Sequence, residues 1–232
     1  MSDVSYFDEV APNWDSIRAG YFSEGVREKA FSAAGLEPGK TAADLGAGTG
    51  FITEGLLRRG LSVIAIDRSN VMIEQMRKKF SKERRIYFRR GEGENLPVAD
   101  NSVDYVFANM YLHHVEHPPR GIAEAVRILK AGGSVVITDL DEHRFEFLRT
   151  EQKDVWLGFK RQDVQNWLEA AGLTNVHVDC IEENCCTCST CGSGSAKISI
   201  FLAIGNKPRK SSSDPTREKA FGDRNPFVRI PL

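Results

Sequence analysis

The chain has 232 residues, 41% of them hydrophobic, so it is long enough to bury one substantial core and to carry short extensions. Its formal net charge of −1 gives no reason to expect a nucleic acid as partner. No apolar run approaches the length of a membrane span, and residues 1–14 lack the basic start and apolar stretch of a secretory signal. Composition therefore predicts a cytoplasmic protein and leaves its oligomeric state open.

Residues 1–35 are predicted to form a helical cap. Trp14 and Tyr21 lie on this stretch, where aromatic side chains can pack against a sheet or close over a ligand. Two interpretations stay open: a structural cap, or a lid that keeps water from a bound ligand.

The segment from Asp44 to Gly50, DLGAGTG, is the most informative in the chain. A short apolar stretch that is typical of a buried strand, 40–43, precedes it, and the helical apolar spacing of 51–57 follows it. Glycines remove side chains where the backbone turns tightly and a ligand approaches it. The three glycines of this turn are Gly46, Gly48 and Gly50. The pattern predicts a ligand site at the carboxyl end of a parallel strand.

Two phosphate-binding motifs do not fit this turn. The third glycine of a dinucleotide fingerprint would fall at Phe51, and no Gly-Lys-Ser/Thr follows. Asp44 would repel a pyrophosphate and suits a cationic ligand. S-adenosylmethionine carries adenine, ribose and positive charge but no phosphate. At this segment the sequence resembles the class I methyltransferases.

The resemblance continues downstream in the order that the family requires. The stretch 61–67 is predicted to be a second buried strand, and it ends in an acid, Asp67. In the family, an acid at this position accepts hydrogen bonds from the ribose hydroxyls. The stretch 91–97 resembles the family's adenine loop, and in the family the segment that corresponds to 110–115 lines the pocket around the methionine part. The resemblance thus implies a cofactor-binding set of Asp44, Gly46, Gly48, Gly50, Asp67, Glu92 and Asn109.

The remaining patterns complete an alternating series of strands and helices. Helices are predicted over 71–80, 119–130 and 161–171, and strands over 85–89, 103–109, 134–140, 174–181 and 196–204. We therefore expect an α/β doubly wound, Rossmann-like sheet of seven mostly parallel strands with a C-terminal antiparallel hairpin. This methyltransferase domain spans 36–205. Residues 206–232 carry seven basic and three acidic side chains and are predicted to be a flexible, solvated tail.

The five cysteines cluster late in the chain. Cys180 lies in the sixth predicted strand, and the others lie in a predicted loop, 184–194, at the cofactor edge of the sheet. In a reducing compartment, clustered thiols suggest a ligand set for a soft metal or metalloid. The predicted ligands are Cys185, Cys186, Cys188 and Cys191. A structural zinc site and free thiols are the alternatives.

The sequence leaves three functions open. In the first, a methyltransferase acts on arsenite or a related metalloid or thiol, which resembles the arsenite methyltransferases, although this chain has no cysteine before Cys180. In the second, it is a small-molecule C- or O-methyltransferase, similar to the quinone-biosynthesis type through 94–97 and 129–133, and the cysteine loop is a structural metal site. The third is a non-catalytic metal sensor.

The need for a catalytic base depends on the acceptor. A soft nucleophile needs only enclosure and placement of the reacting atoms about 3–3.5 Å apart. An oxygen or acidic carbon needs a base. The candidates follow strands four and five: His113, His114, Asp139, Asp141 and His143.

Overall fold

The computed structural model describes residues 4–189 and 194–209, which share one seven-stranded sheet. The strands are β1 (Thr41–Leu45), β2 (Ser62–Asp67), β3 (Ile86–Arg90), β4 (Val103–Asn109), β5 (Leu129–Leu140), β6 (Thr174–Cys188) and β7 (Ser195–Asn206). Their spatial order is β3-β2-β1-β4-β5-β7-β6. Strand β7 runs antiparallel to β5 and to β6, whereas the pairs among β1 to β5 are parallel. The predicted fold class is confirmed.

Helices lie on both faces of this sheet. They are α1 (Val4–Val10), α2 (Trp14–Tyr21), α3 (Gly25–Ala34), α4 (Phe51–Arg58), α5 (Asn70–Lys79), α6 (Pro118–Ile128), α7 (Phe147–Glu151) and α8 (Arg161–Ala170). Short 3-10 turns occupy Ala11–Asn13 and Leu112–His114. No helix in the described part of the chain is both long and apolar enough to span a membrane.

The central strands are apolar on both faces because both faces are covered. Successive residues of a strand point to opposite sides, and Val106 and Phe107 accordingly pack into two different core clusters. Ala42 and Ala43 of β1 divide in the same way. This double burial explains why these strands appear in the sequence as continuous apolar runs without alternation.

Strand β5 begins earlier than its pattern predicts. The sequence favours a helix through Lys130 and a glycine turn before the strand, but α6 ends at Ile128 and β5 starts at Leu129. Leu129 pairs with Val103 of β4, and the backbones of Gly132 and Gly133 exchange hydrogen bonds with Lys207 at 2.7 and 2.9 Å. Pairing with residues distant in sequence decides this boundary.

Strand β6 is also longer than predicted, which changes the setting of the cysteines. The predicted strand ends at Ile181 and is followed by a loop, whereas β6 continues to Cys188, paired with Ser195. A register shift falls between Cys180 and Asn184, where Glu182 has a φ of 56°. Because the neighbouring strand supplies the backbone hydrogen bonds, polar residues extend the strand without an apolar pattern.

Two predicted features lie partly beyond the described residues. Cys191 lies in the stretch 190–193, which is outside the described residues. The predicted tail lies outside them from residue 210 onward. The predicted N-terminal cap covers α1 to α3, and Asp15 of α2 accepts a hydrogen bond from the Thr49 hydroxyl at 2.5 Å. Its role as cap or lid stays a prediction.

Candidate functional site

A cavity of about 570 Å³ opens where β1, β2 and β4 end, a volume in the usual range for small-molecule sites. We name two sets of its lining residues, the cofactor end and the acceptor end, after the roles that we propose for them below. The cofactor end is lined by Asp44, Gly46, Gly48, Asp67, Glu92 and Asn109. The acceptor end is lined by Phe7, Trp14, Tyr21, His113, His114 and Cys185.

The glycine turn of the cofactor end has a backbone conformation that favours glycine. Gly46 and Gly48 have φ values of 64° and 55°, and the side chain of any L-residue is strained there. A Cβ on Gly48 would lie 3.2 Å from Nε1 of Trp14. The turn is thus compact because these positions have no side chains.

Asp67 ties the glycine turn to β2. Its Oδ2 accepts a hydrogen bond from the Gly48 amide at 2.8 Å, and its Oδ1 accepts one from the Ser69 amide at 2.9 Å. Burial raises the pKa of this carboxyl, and the amide donors oppose that shift. A carboxylate oxygen can accept more than one hydrogen bond, so a ligand hydroxyl can donate to Asp67 beside these amides. The ribose role of Asp67 stays a prediction that this placement allows.

Asp44 lies beneath the turn, nearly inaccessible to solvent. Its Oδ2 accepts hydrogen bonds from the Thr53 amide at 2.9 Å and the Thr53 hydroxyl at 2.6 Å. Burial raises the pKa of Asp44 to about 7, although the Thr53 donors oppose it. A cationic ligand group in the cavity would therefore favour the ionised form of Asp44.

Two further predicted cofactor residues complete this wall. Asn109 accepts a hydrogen bond from the Thr138 hydroxyl at 2.8 Å. Glu92 is exposed and lies on the cavity lining. The seventh predicted residue, Gly50, caps α4 with a φ of 93° and is not among the lining residues.

Aromatic rings from the N-terminal helices cover the acceptor end. The ring of Phe7 lies edge-on to Trp14 at 5.9 Å and to the imidazole of His114 at 5.1 Å, and Trp14 contacts Tyr21 at 6.3 Å. Such edge-to-face contacts form a continuous wall. The cavity thus has flat apolar surfaces beside two imidazoles.

His113 is held by a buried carboxylate. Its Nδ1 lies 2.6 Å from Oδ1 of Asp139, whose Oδ2 accepts a hydrogen bond from the Leu112 amide at 2.8 Å. On the other side of the ring, Nε2 lies 3.8 Å from Oδ1 of Asp154. Burial alone would lower the pKa of His113, but Asp139 and Asp154 outweigh it and raise the value to about 9.

His114 has the opposite electrostatic setting. Burial and the charge of His113 lower its pKa well below the ordinary value, so its imidazole is neutral at physiological pH. Its Nδ1 is buried and has no hydrogen-bond partner among the described residues. The two adjacent rings, 4.1 Å apart, therefore differ in charge.

The other predicted base candidates lie outside the cavity lining. Asp141 makes a two-pronged ion pair with Arg161, at 2.8 and 2.6 Å, which fastens β5 to α8. His143 does not line the cavity either, and burial lowers its pKa to about 4. Asp139 contacts Nδ1 of His113 instead. Sequence reasoning missed Asp154, which follows α7 in a segment without a recognisable motif.

The cysteines do not form one group in the described chain. Cys185 is buried and lines the cavity, whereas Cys186 and Cys188 are exposed. Adjacent strand residues point to opposite faces, so Cys185 and Cys186 diverge. Burial raises the pKa of the Cys185 thiol to about 12, which disfavours a thiolate. A four-cysteine metal site gains no support from this arrangement.

Comparison with known proteins gives one family and two groups of relatives. Residues 43–137 match the model of a methyltransferase domain family. The demethylmenaquinone methyltransferase of Renibacterium salmoninarum is 36% identical over 153 residues, covering 63% of this chain and 62% of that protein. The 2-methyl-6-phytyl-1,4-hydroquinone methyltransferase of Arabidopsis thaliana is 30% identical over 167 residues, covering 70% and 48%. The chain therefore spans less than two thirds of these relatives' length.

Solved structures share the fold. One is the complex between the Haloferax volcanii Trm112 methyltransferase activator and a methyltransferase, with a TM-score of 0.72, 20% identity, and coverage of 88% of this chain and 98% of that chain. Another is the phosphoethanolamine N-methyltransferase 2 of Haemonchus contortus bound to S-adenosylmethionine, with a TM-score of 0.66, 16% identity, and coverage of 79% and 52%. Neither of the two sequence relatives has a name that mentions arsenite or another metalloid.

Proposed function

We propose that this chain, a member of the class I S-adenosylmethionine-dependent methyltransferases, methylates a small hydroxylated aromatic acceptor of the hydroquinone type. One observation carries the proposal: a single cavity joins the glycine turn and Asp67 to a wall of aromatic rings and imidazoles. The sequence relatives whose names contain menaquinone and hydroquinone methyltransferase point to the same acceptor class.

The cofactor end matches the chemical groups of S-adenosylmethionine. In the proposal, Asp67 accepts hydrogen bonds from the ribose hydroxyls and Glu92 accepts one from the adenine amino group. Asp44 stabilises the positive charge of the methionine part. The backbone at Gly48, which has no side chain, allows close approach of the ligand.

The acceptor end suits a flat ring with a hydroxyl group. Phe7, Trp14 and Tyr21 offer aromatic surfaces for such a ring. The imidazoles of His113 and His114 give this end a polar wall against which a hydroxyl can be oriented. The predicted small-molecule partner and cytoplasmic location belong to the same proposal.

The reaction is a nucleophilic displacement at the methyl carbon. A ring carbon activated by a hydroxyl, or the hydroxyl oxygen itself, attacks the methyl group in line with the sulfonium. With S-adenosylmethionine bound, the bond between sulfur and methyl would break with its electrons moving to sulfur, which would leave as a neutral thioether, and the acceptor would release one proton to solvent. The walls contribute by holding the reacting atoms about 3–3.5 Å apart and by excluding water.

The test is methyl transfer by the full chain with S-adenosylmethionine and three acceptors. A reduced hydroquinone, arsenite with excess thiol, and thiol alone are compared, and products are identified by mass spectrometry. We expect a methylated hydroquinone, absent from reactions with Gly48→Val. Methylated arsenic as the sole product would overturn the hydroquinone proposal and restore the metalloid hypothesis, for which Cys185 in the cavity wall is the favouring observation.

A further inference from the structure

Three polar side chains place atoms that can bind a metal ion close together in one small region. One ring nitrogen each of His113 and His114 and one carboxylate oxygen of Asp154 all lie within 4.8 Å of one another. His113 and Asp154 are each only 5% exposed. Nδ1 of His114 and Oδ1 of Asp154 are buried without a hydrogen-bond partner in the described part of the chain. Such buried, unpaired polar atoms are costly unless something binds them.

Asp139 orients His113 for this arrangement. Its carboxylate accepts the Nδ1 hydrogen at 2.6 Å, so the exchangeable proton of the charged ring lies on Nε2, the nitrogen that faces Asp154. A metal ion would displace that proton and bind the lone pair of Nε2. Histidines that bind metals usually donate their other ring nitrogen to a carboxylate or carbonyl in this way. His113 and Asp139 thus have the relation of a ligand and its supporting acid.

A proton between His113 and Asp154 accounts for less of the geometry. The Nε2–Oδ1 distance of 3.8 Å exceeds that of a hydrogen bond, about 2.7–3.2 Å. A proton shared by His113 and Asp154 would also leave Nδ1 of His114 without a partner among the described residues. A metal ion about 2.0–2.2 Å from each ligand places neighbouring ligand atoms about 3–4 Å apart, and it can use both histidines at once.

We propose that His113, His114 and Asp154 bind one divalent cation of the zinc class. Nitrogen and carboxylate donors in a set of three are typical of zinc sites that keep a position open for water or a substrate. Both histidines line the acceptor end, so the open position faces the acceptor and can hold one of its oxygen atoms. This inference goes beyond methyl transfer, because ion binding is measured without cofactor or acceptor.

The experiment is a metal titration of the full chain in a Cys186→Ser/Cys188→Ser background, which removes two exposed thiols. Calorimetry with Zn²⁺ and absorption spectra with Co²⁺ are recorded on reduced, chelator-treated protein. We expect one ion per chain. His114→Phe and Asp154→Asn should each weaken binding by at least about 100-fold, and Asp139→Asn by about 10- to 100-fold through its effect on His113.

The matched control is His177→Gln. His177 also lies 3.8 Å from an aspartate, Asp179, but both side chains are exposed, so this variant should bind like its parent. Far-UV circular dichroism confirms that each variant is folded, and the near-isosteric Asp154→Asn provides a result even if His114→Phe unfolds. Absence of binding in the folded parent, or equal affinity in folded Asp154→Asn, overturns the proposal. A thiolate-to-Co²⁺ charge-transfer band that disappears in Cys185→Ser, together with unchanged affinity in Asp154→Asn, would do the same.

Discussion

The cofactor end and the acceptor end of the cavity are built in different ways. At the cofactor end, the key contacts are made by backbone groups: the Gly48 and Ser69 amides donate to Asp67, and the Thr53 amide donates to Asp44. At the acceptor end, side chains from distant segments meet, such as Phe7 with His114. A site formed by one local turn can be recognised from a sequence pattern. A site formed by tertiary packing of distant segments has no such pattern.

The difference has an energetic side. Substitutions at the cofactor end change a backbone conformation and should disturb ligand binding strongly. At the acceptor end, each side chain contributes part of a wall, and neighbouring rings can share its role. Binding of the cofactor should therefore be far more sensitive to single changes than the shape of the acceptor end.

Gly48→Val should have the largest effect. The valine side chain would meet Trp14 and occupy the space into which the cofactor is proposed to fit, at a φ of 55°. We expect S-adenosylmethionine affinity to fall more than about 100-fold. Thermal melts with and without cofactor measure it.

The matched control for this change is Gly35→Val. Gly35 has a similar φ, 58°, but open space around it, at the end of α3. It should lower the melting temperature through backbone strain while keeping the stabilisation that the cofactor gives. A Gly48→Val protein that the cofactor stabilises as strongly as wild type would show that the cofactor binds elsewhere.

Asp67→Ala should come next. It removes the acceptor of the Gly48 amide as well as the proposed ribose contact, so affinity should fall by about 1.5–3 kcal/mol, roughly 10- to 150-fold. Calorimetry measures this. Asp104→Ala is the control, because Asp104 accepts a backbone hydrogen bond from Thr41 at 3.0 Å but does not line the cavity. Equal affinity losses in both variants would indicate a general loss of structure.

The same contrast explains what could be predicted from the sequence. The alternation of strands and helices and the glycine turn gave the fold, because the central strands are buried on both faces and the turn needs residues without side chains. The cofactor residues could be placed by resemblance, and all but Gly50 line the cavity, but their roles await measurement.

Other features depended on tertiary contacts and could not be predicted. Cys185 to Cys188 extend β6 because β7 pairs with them, which the polar sequence does not indicate. Asp154 follows His113 by 41 positions in the sequence, and the two side chains lie close together only in the folded chain. Asp141 looked like a base candidate because it follows β5, yet its partner Arg161 is visible only in the structure.

The two adjacent cysteines should differ in reactivity by at least about tenfold. Cys186 is exposed, while burial raises the pKa of Cys185 to about 12, which leaves little of the reactive thiolate. Peptide mass spectrometry of iodoacetamide-treated native protein gives the two rates, and urea-unfolded protein is the control in which they should become similar. Equal rates in the native state would mean that Cys185 is accessible and that the acceptor end is more open than described.

The smallest effect concerns pH at the cofactor end. Because burial raises the folded-state pKa of Asp44 to about 7, its protonated form contributes stability below about pH 4 that is lost as pH rises through 7. The positive charge of the cofactor favours the ionised form, so affinity should rise up to about fivefold between pH 6 and 7.5, before the amino group of the cofactor loses its proton. Calorimetry at several pH values measures the rise.

Asp44→Asn separates this carboxyl from other titrating groups. The amide cannot ionise, so the variant should bind the cofactor more weakly at pH 7.5 and show a nearly flat affinity over the same range. Its melting temperature should also fall less than that of wild type between pH 5 and 8, since only wild type acquires a buried charge there. If the variant keeps the full pH dependence of binding, the titrating group lies elsewhere, and the charge preference assigned to the end of β1 is wrong.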